Sequence, residues 1–537
     1  MAPYTDSNYA DAQPLVDAEK ILTPITLPCG RVVPNRLVKA PMYEHFAPLW
    51  GSGPHESFIA LYQKWAAGGW GMIMTGNIQV AKDHLPLGRD LVVPDALSEE
   101  TLAPWRELAN TIHFGAPAAS SSRIGLGGKD EDSRPLAIMQ LSHGGRQSLN
   151  FYGGRRLFAP PLAPSPIRVG QMHKGQDGWL SRLAHWLFLQ VPKEMTHEDI
   201  QRTIGQFVLG AQLAAQSGFD GIELHAAHGY LISEFISPKT NRRTDEYSAD
   251  RDPLRFLREI VEAIRAPGVV PDDFVVGVKL NAADYARDTC ELQENRALEH
   301  VREIGKWGLV DTIQVSGGDY EDPQFIDVAL EYKSARQVVY ESFAERSIDI
   351  LSSCIPTATS RPPPLVLLTG GLNTLPRMSS ALARDHAQLL GIGRLSVIHP
   401  HLPTKLSAAL SRKDADFLRS EPWALSELGD PPSSYLSWRG LERALWYVCL
   451  LVWSYIPAKM PRVVGATANV NWYNYMMRRH ALGQDLDFTV GTVGTMARFF
   501  LLPVPHASRT DGEGDWVWWI SVAVVGVVLG MALGQVI

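Results

Sequence analysis

The stretch Gly218-Phe-Asp-Gly-Ile-Glu-Leu-His-Ala-Ala-His-Gly-Tyr230 decides how this chain reads. A helical run ends at Ser217-Gly218, and the apolar burst Gly221-Ile-Glu-Leu224 that follows reads as a short buried strand. His225, His228 and Tyr230 arrive at its carboxyl end. In α/β barrels that end carries the reacting groups, on loops held by a rigid sheet. Two histidines three apart fit a metal pair, a pair of structural histidines, or two donors aimed at a substrate oxygen. No further carboxylate or Cys cluster lies nearby to complete a coordination sphere. In the third reading Tyr230 is a proton donor, because a phenol with a reference pKa of about 10 stays protonated at neutral pH.

Outward from this stretch, one unit repeats: a helix, a glycine stop, then an apolar strand ending in a polar loop. Trp65-Ala-Ala-Gly-Gly-Trp-Gly-Met-Ile-Met-Thr-Gly-Asn77 is one copy, with Asn77 in the loop. Strands return at Leu136–Gln140, Gly221–Leu224, Phe274–Leu280, Thr312–Ser316, Leu365–Thr369 and Leu389–Gly393. With Arg31-Val-Val-Pro-Asn-Arg-Leu-Val-Lys-Ala-Pro-Met42 leading into the first, they predict a (β/α)8 TIM barrel over residues 21–418. Gly370-Gly371 and Gly391-Ile-Gly-Arg394 follow the last two strands, where barrels commonly bind phosphate. Glycines let backbone N–H groups approach, and Arg394 can make a paired contact with phosphate oxygens.

The segment His225-Ala-Ala-His-Gly-Tyr230 followed by Asn241-Arg-Arg-Thr-Asp-Glu-Tyr247 resembles the old yellow enzyme family of FMN-dependent NAD(P)H:flavin oxidoreductases and ene-reductases. Val33–Met42, Gln140-Leu-Ser-His-Gly-Gly-Arg146, Val278-Lys-Leu-Asn281, Thr369-Gly-Gly-Leu372 and Gly391–Arg394 recur in that family's order. The resemblance implies FMN at the strand ends. Pro41, Met42, Tyr43 and Asn77 would run along it, Gln140 would meet its pyrimidine edge, and Lys279 would face the charge of the reduced ring near N1. Gly370, Gly371, Gly391, Gly393 and Arg394 would hold its phosphate. Tyr43 departs from the family's small or hydroxyl residue, and its phenol either reaches the ring or points into packing. NADPH or NADH would supply hydride, His225 and His228 would hold a substrate carbonyl, and Tyr230 would protonate the α-carbon of a reduced enone. The same site run as a dehydrogenase, oxidase or isomerase, or a binding protein without catalysis, are the alternatives.

Composition sets the limits. With 45% hydrophobic and 20% charged residues the 537-residue chain is a folded protein, and a net charge of -7 gives no reason to expect nucleic acid. Cys29, Cys290, Cys354 and Cys449 are too scattered for a disulfide framework or a clustered metal site, so no metal is expected. Residues 1–20 have no apolar core or basic leader and are expected to form a disordered tail. Insertions are expected at about 119–134, a solvated loop, and 167–192. The second carries Trp179, Leu180, Leu183, Trp186 and Leu187 at helical spacing, a face that packs on its own domain, forms a lid, or meets a bilayer.

Residues 419–515 form a partly amphipathic C-terminal extension. In it Ala444–Ile456 is too short to span a bilayer, and Asn471-Trp-Tyr-Asn-Tyr-Met-Met-Arg-Arg479 suits a membrane surface or ordinary packing. From Trp516 to Ile537 no residue is charged, and a helix of that length covers about 33 Å, close to hydrocarbon thickness. Trp516, Trp518 and Trp519 stand at its start, and Arg498 and Arg509 precede it with no basic residue after it. A single-pass tail anchor with a cytosolic barrel is expected, with the endoplasmic reticulum as its membrane. Gly526, Gly530 and Gly534 at four-residue spacing are compatible with a homodimer seam. Anchor and apolar insertion together point to a lipophilic enone as substrate.

Overall fold

The structure is a computed structural model, and it describes residues 14–115, 134–170, 188–282, 290–317, 333–354, 361–412, 462–488 and 490. Eight strands close a parallel barrel: β1 (Leu37–Lys39), β2 (Met72–Gln79), β3 (Leu136–Ser142), β4 (Gly221–Ala226), β5 (Val275–Asn281), β6 (Thr312–Ser316), β7 (Leu365–Thr369) and β8 (Leu389–Ile392). β8 pairs with β1 (Leu390 with Leu37) and β1 with β2 (Val38 with Met72), which leaves the barrel without a free edge. The eight predicted strands are all present, each within two or three residues of its expected bounds.

Helices ring the sheet: α1 (Pro14–Ile21), α2 (Glu56–Ala66), α3 (Glu99–Phe114), α4 (His197–Gln216), α5 (Leu231–Ile236), α6 (Arg255–Ile264), α7 (Cys290–Trp307), α8 (Lys333–Ser352), α9 (Leu375–Ala383), α10 (Arg394–Ile398), α11 (Leu402–Arg412) and α12 (Arg462–Ala481). Their starts follow from sequence. Ser98 caps α3 and Thr196 caps α4, each with a reciprocal bond to the third helical residue.

Side chains alternate across a strand, so every second residue of each barrel strand enters one interior. At its amino-terminal end that interior is apolar, built from Val38, Met72, Met74, Leu136, Ile138, Val275, Leu367 and Leu389. Leu27 and Val33, of the hairpin joining Ile25–Thr26 to Val32–Val33, complete this cluster. The opposite faces, such as Ile222, Leu224, Ala226, Val276 and Val278, join the larger core between sheet and helices.

Two expectations need correction or completion. The tail expected over residues 1–20 is helical from Pro14: Ala18 and Ile21 are fully buried, and Lys20 donates to the Leu382 carbonyl at 2.7 Å. Residues 1–13 lie outside the described residues. In the C-terminal extension, Asn471–Arg479 belongs to α12, which packs on α2 and α10. Trp472, Met476 and Met477 are buried, so this stretch follows its packing alternative rather than lying on a membrane surface. Most of both insertions, Ala444–Ile456 and the 516–537 segment fall outside the described residues. Among the described residues no helix is long and apolar enough to cross a membrane.

The amino-terminal rim is held by buried carboxylates. Asp220, just before β4, accepts from Arg31 at 2.5 Å, Arg134 at 3.1 Å and the Ala137 N–H at 2.8 Å, and meets His113 Nε2 at 2.8 Å. Asp311, just before β6, takes Arg265 and the Val276 N–H, both at 2.7 Å. Burial alone would push the Asp220 carboxyl up, but His113, Arg134 and the Ala137 amide outweigh it and hold it below the usual carboxylate range. A lowered folded pKa contributes stability above the unfolded value, lost as pH falls through the folded one. Asp220→Ala should therefore cost about 3 kcal/mol at neutral pH, because it strands the half-buried guanidinium groups of Arg31 and Arg134 and leaves the Ala137 N–H unpaired. Urea unfolding at pH 7 and pH 3 checks this: the gap between native and variant should narrow on acidification, and an equal gap at both would contradict it.

Candidate active site

The carboxyl-terminal half of the barrel interior is polar. Asn77 of β2 and Gln140 of β3 are cross-strand partners, as are Gln140 and Glu223 of β4, and Lys279 of β5 with both His225 and Gln314 of β6. These side chains are all buried. Thr369 of β7 and Gly391 of β8 continue the ring. The residues expected at the site thus converge on one end of the barrel, where parallel strands of this architecture deliver chemistry.

β2 reaches the site through a bulge between Met74 and Asn77. Glu44, from the loop after β1, accepts the Gly76 N–H at 2.9 Å and the Tyr62 hydroxyl, fixing the bulge that turns Asn77 inward. A Cβ at Gly76 would sit 2.0 Å from Glu44 Oε2, so glycine is required there. Lys39, fully buried behind β1, donates to the Met74 carbonyl at 2.8 Å and lies 4.1 Å from the Trp65 ring centroid; burial, only partly offset by Glu44, lowers its pKa to about 8.

His225, His228 and Tyr230 form one cluster. The His225 ring lies 4.9 Å from that of His228 and 4.6 Å from that of Tyr230, both edge-on. His225 Nδ1 accepts the Ala227 N–H at 3.3 Å, which puts the ring proton on Nε2. Burial, then the Lys279 and His228 charges, push His225 well below the ordinary histidine range, so it is a neutral donor. His228 takes a left-handed backbone, φ 59°, which costs a non-glycine residue on the order of 1–3 kcal/mol. Its Nε2 lies 2.7 Å from Ser316 Oγ, and its N–H donates to Asn281 Oδ1 at 3.3 Å. Tyr230 is the N-cap of α5 and is buried.

The loop residues Pro41, Met42 and Tyr43 are half-buried along the rim. Tyr43 takes the packing alternative: its phenol donates to Asp90 and accepts from Gln79 Nε2 at 3.2 Å, and its ring stacks on His45 with centroids 4.0 Å apart. Gly370 and Gly371 have φ of 99° and 70° and lie exposed after β7. A Cβ built on Gly393 would meet only Met42 Sδ, at 4.0 Å, so space lies open between the ends of β8 and β1. Arg394 is exposed beside it, its guanidinium 5.9 Å from the ring centroid of Tyr473 on α12.

These residues fit FMN in three respects. Ser142 Oγ and Gln79 Oε1 are buried at the end of β3 and β2 without a hydrogen-bond partner among the described residues. Open space lies at Gly393. The donor set pairs an amide and an ammonium, Gln140 and Lys279, with an exposed guanidinium, Arg394, which suits a ring edge and a phosphate.

Sequence reasoning missed four members. Glu223 stands inside an apolar strand and accepts from Gln140 Nε2 at 2.6 Å; the alternation that turns His225 inward could have found it. Ser316 and Asn281, each at a strand end, support His228. Tyr473 comes from the extension and carried no signal linking it to Arg394.

A family model described as the NADH:flavin oxidoreductase / NADH oxidase family matches residues 128–413. The NADH-dependent flavin oxidoreductase iliE of Neonectria sp. (strain DH2) is 36% identical, over 76% of this chain and 51% of its own length, so this chain spans about half of it. The protein of the same name from Hypocrea jecorina (strain QM6a) is 34% identical over 76% of this chain and 94% of its own. The structure of an old yellow enzyme homologue from Zymomonas mobilis shares the fold, with a TM-score of 0.52 and 20% identity over 72% of this chain and 92% of that one. The barrel has the fold of that old yellow enzyme homologue, and the chain belongs to the NADH:flavin oxidoreductase / NADH oxidase family, flavin oxidoreductases that use FMN with NADH or NADPH.

Proposed function

We propose that the enzyme reduces the activated C=C bond of a lipophilic enone. The observation that carries this reading is the His225–His228–Tyr230 cluster, in which the Ala227 amide sets the donor nitrogen of His225. Bound FMN, held by Pro41, Met42, Asn77, Gln140, Lys279, the four glycines and Arg394, supplies hydride chemistry between the nicotinamide and the substrate carbon. His225 Nε2–H and His228 hold the substrate carbonyl oxygen and stabilise the charge that develops there. His225, held neutral by burial, keeps a ring N–H to offer to that oxygen. The Tyr230 hydroxyl then gives its proton to the α-carbon.

The lipophilic character of the substrate rests on the sequence at two places. The uncharged run from Trp516 to Ile537 anchors the chain in a membrane, the endoplasmic reticulum, with the barrel cytosolic. The second place is the apolar spacing within the 167–192 insertion, most of which lies outside the described residues and which suits packing on its own domain, a lid or a bilayer contact. Its base is tied to the active-site end: Arg146 donates to the Ile167 and Arg168 carbonyls at 3.4 and 3.2 Å, and Leu162–Ala163 pairs with Lys193–Glu194.

Three measurements test these assignments. Tyr230→Phe should slow reoxidation of the reduced enzyme by an enone by about 10²–10⁴-fold while leaving reduction by the nicotinamide intact; an equal loss in both half-reactions would refute the proton-donor role. Replacing His225 or His228 by Ala should weaken binding of a simple phenol to the oxidised enzyme by roughly tenfold or more, from a lost hydrogen bond worth about 1.5 kcal/mol, and unchanged affinity would move the substrate site elsewhere. Removing residues 516–537 should release an active enzyme from membranes; a variant that stays membrane-bound, or cannot fold, would end the anchor reading.

A further inference from the structure

α10 spans only Arg394–Ile398, too short to hold itself as a helix, yet it carries Arg394 at its first position, beside the open space at Gly393. Its rotation about its own axis decides where that guanidinium points. Leu395 and Val397 are buried, and two other helices take its carbonyls. Trp65 Nε1 of α2 donates to the Ser396 carbonyl at 2.9 Å, and His480 Nε2 of α12 to that of Val397 at 2.7 Å. Lys64 Nζ lies 3.3 Å from His480 Nδ1, which leaves the ring proton on Nε2.

Tyr473 and His480 are seven residues apart on α12, two turns along one face, so the face that grips the Val397 carbonyl also brings a ring to Arg394. The Tyr473 ring centroid lies 5.9 Å from the guanidinium carbon. Among the described residues no carboxylate pairs with Arg394, and this ring is what its charge meets. An aromatic face attracts the cation without taking a hydrogen bond from it, and the N–H groups of a guanidinium lie in its own plane, free to donate. A long exposed side chain loses rotamer freedom when it takes a ligand, and a ring that already holds it removes part of that cost.

We propose that Tyr473 is a positioning residue for the FMN phosphate and acts through Arg394, with α12 fixing α10 and the ring holding the guanidinium beside Gly393. This rests on the reading above that Arg394 meets the phosphate. Cofactor affinity then depends on a helix that begins well past residue 413, where the match to the family model ends.

The test uses the full-length chain stripped of flavin and titrates it with FMN and with riboflavin, which has the same ring system and no phosphate. Tyr473→Leu should weaken FMN binding by about two- to fivefold, the size of a cation–π contact at a partly exposed site, and leave riboflavin affinity unchanged. Tyr473→Phe, which keeps the ring, should bind FMN like the native protein. In an Arg394→Gln background, itself weaker for FMN by roughly tenfold or more, Tyr473→Leu should add nothing. An equal loss for both flavins, a loss in Tyr473→Phe as large as in Tyr473→Leu, or a full additional loss on Arg394→Gln overturns the proposal. If the Leu variant does not fold, Tyr473→Trp decides by the same comparison, since indole is the stronger partner for a cation: FMN should bind more tightly with riboflavin unchanged, and any other result counts against the proposal. Native FMN affinity in Arg394→Gln alone would instead defeat the phosphate placement, and the proposal with it.

Discussion

Closing a parallel sheet on itself is the constraint from which the rest of this molecule follows. With β8 paired to β1, every second residue of eight strands must share one narrow interior, and no side chain there can turn to water. The amino-terminal half meets this by being apolar, with Leu27 and Val33 added to its cluster. The carboxyl-terminal half is polar, and its groups satisfy one another across strands. Gln140, Glu223, Gln314 and Thr369 form one such chain, and His228, Ser316 and Asn281 another. A low-dielectric interior makes these contacts strong and makes any unpaired group costly.

The same enclosure separates two kinds of buried charge. Asp220 and Asp311 lie at the amino-terminal rim, each engaged by guanidinium and backbone N–H groups, and they hold elements together. Glu223 and Lys279 lie inside, where burial moves both toward neutrality. Burial pushes the rim carboxyl of Asp311 up as well, against the pull of Arg265, the Val276 N–H and Arg361.

The strands were legible because each is an apolar burst, after a glycine stop as at Gly68-Gly69 and Gly218 or after a proline run as at Pro362–Pro364, and the site because its motifs fall at strand ends. What was not legible depended on contacts far apart in sequence. Residues 14–20 look polar and small, yet Ala18 and Ile21 bury against α9 and α11, more than 350 residues later. Tyr43 stands where the resemblance puts a flavin contact, but Asp90 and Gln79 draw its hydroxyl aside. The strain at His228 and the tautomer of His225 are set by Ser316, Asn281 and the Ala227 amide, none of which residue type alone discloses.

α12 lies beyond the region matched by the family model, which stops at residue 413, yet it packs on α2 and α10, the helices flanking the seam where the first and last strands meet. Its Arg478 reaches the His45 carbonyl at 3.4 Å and its His480 lies 2.7 Å from that of Val397. The folded unit therefore runs past the end of the region that the family model matches. A chain cut at residue 413 would bare the surface that Trp472, Met476 and Met477 cover and leave Arg394 without the Tyr473 ring. During synthesis the barrel's seam likewise stays uncovered until residues 462–481 have left the ribosome, so its apolar surface is exposed to wrong association in the meantime.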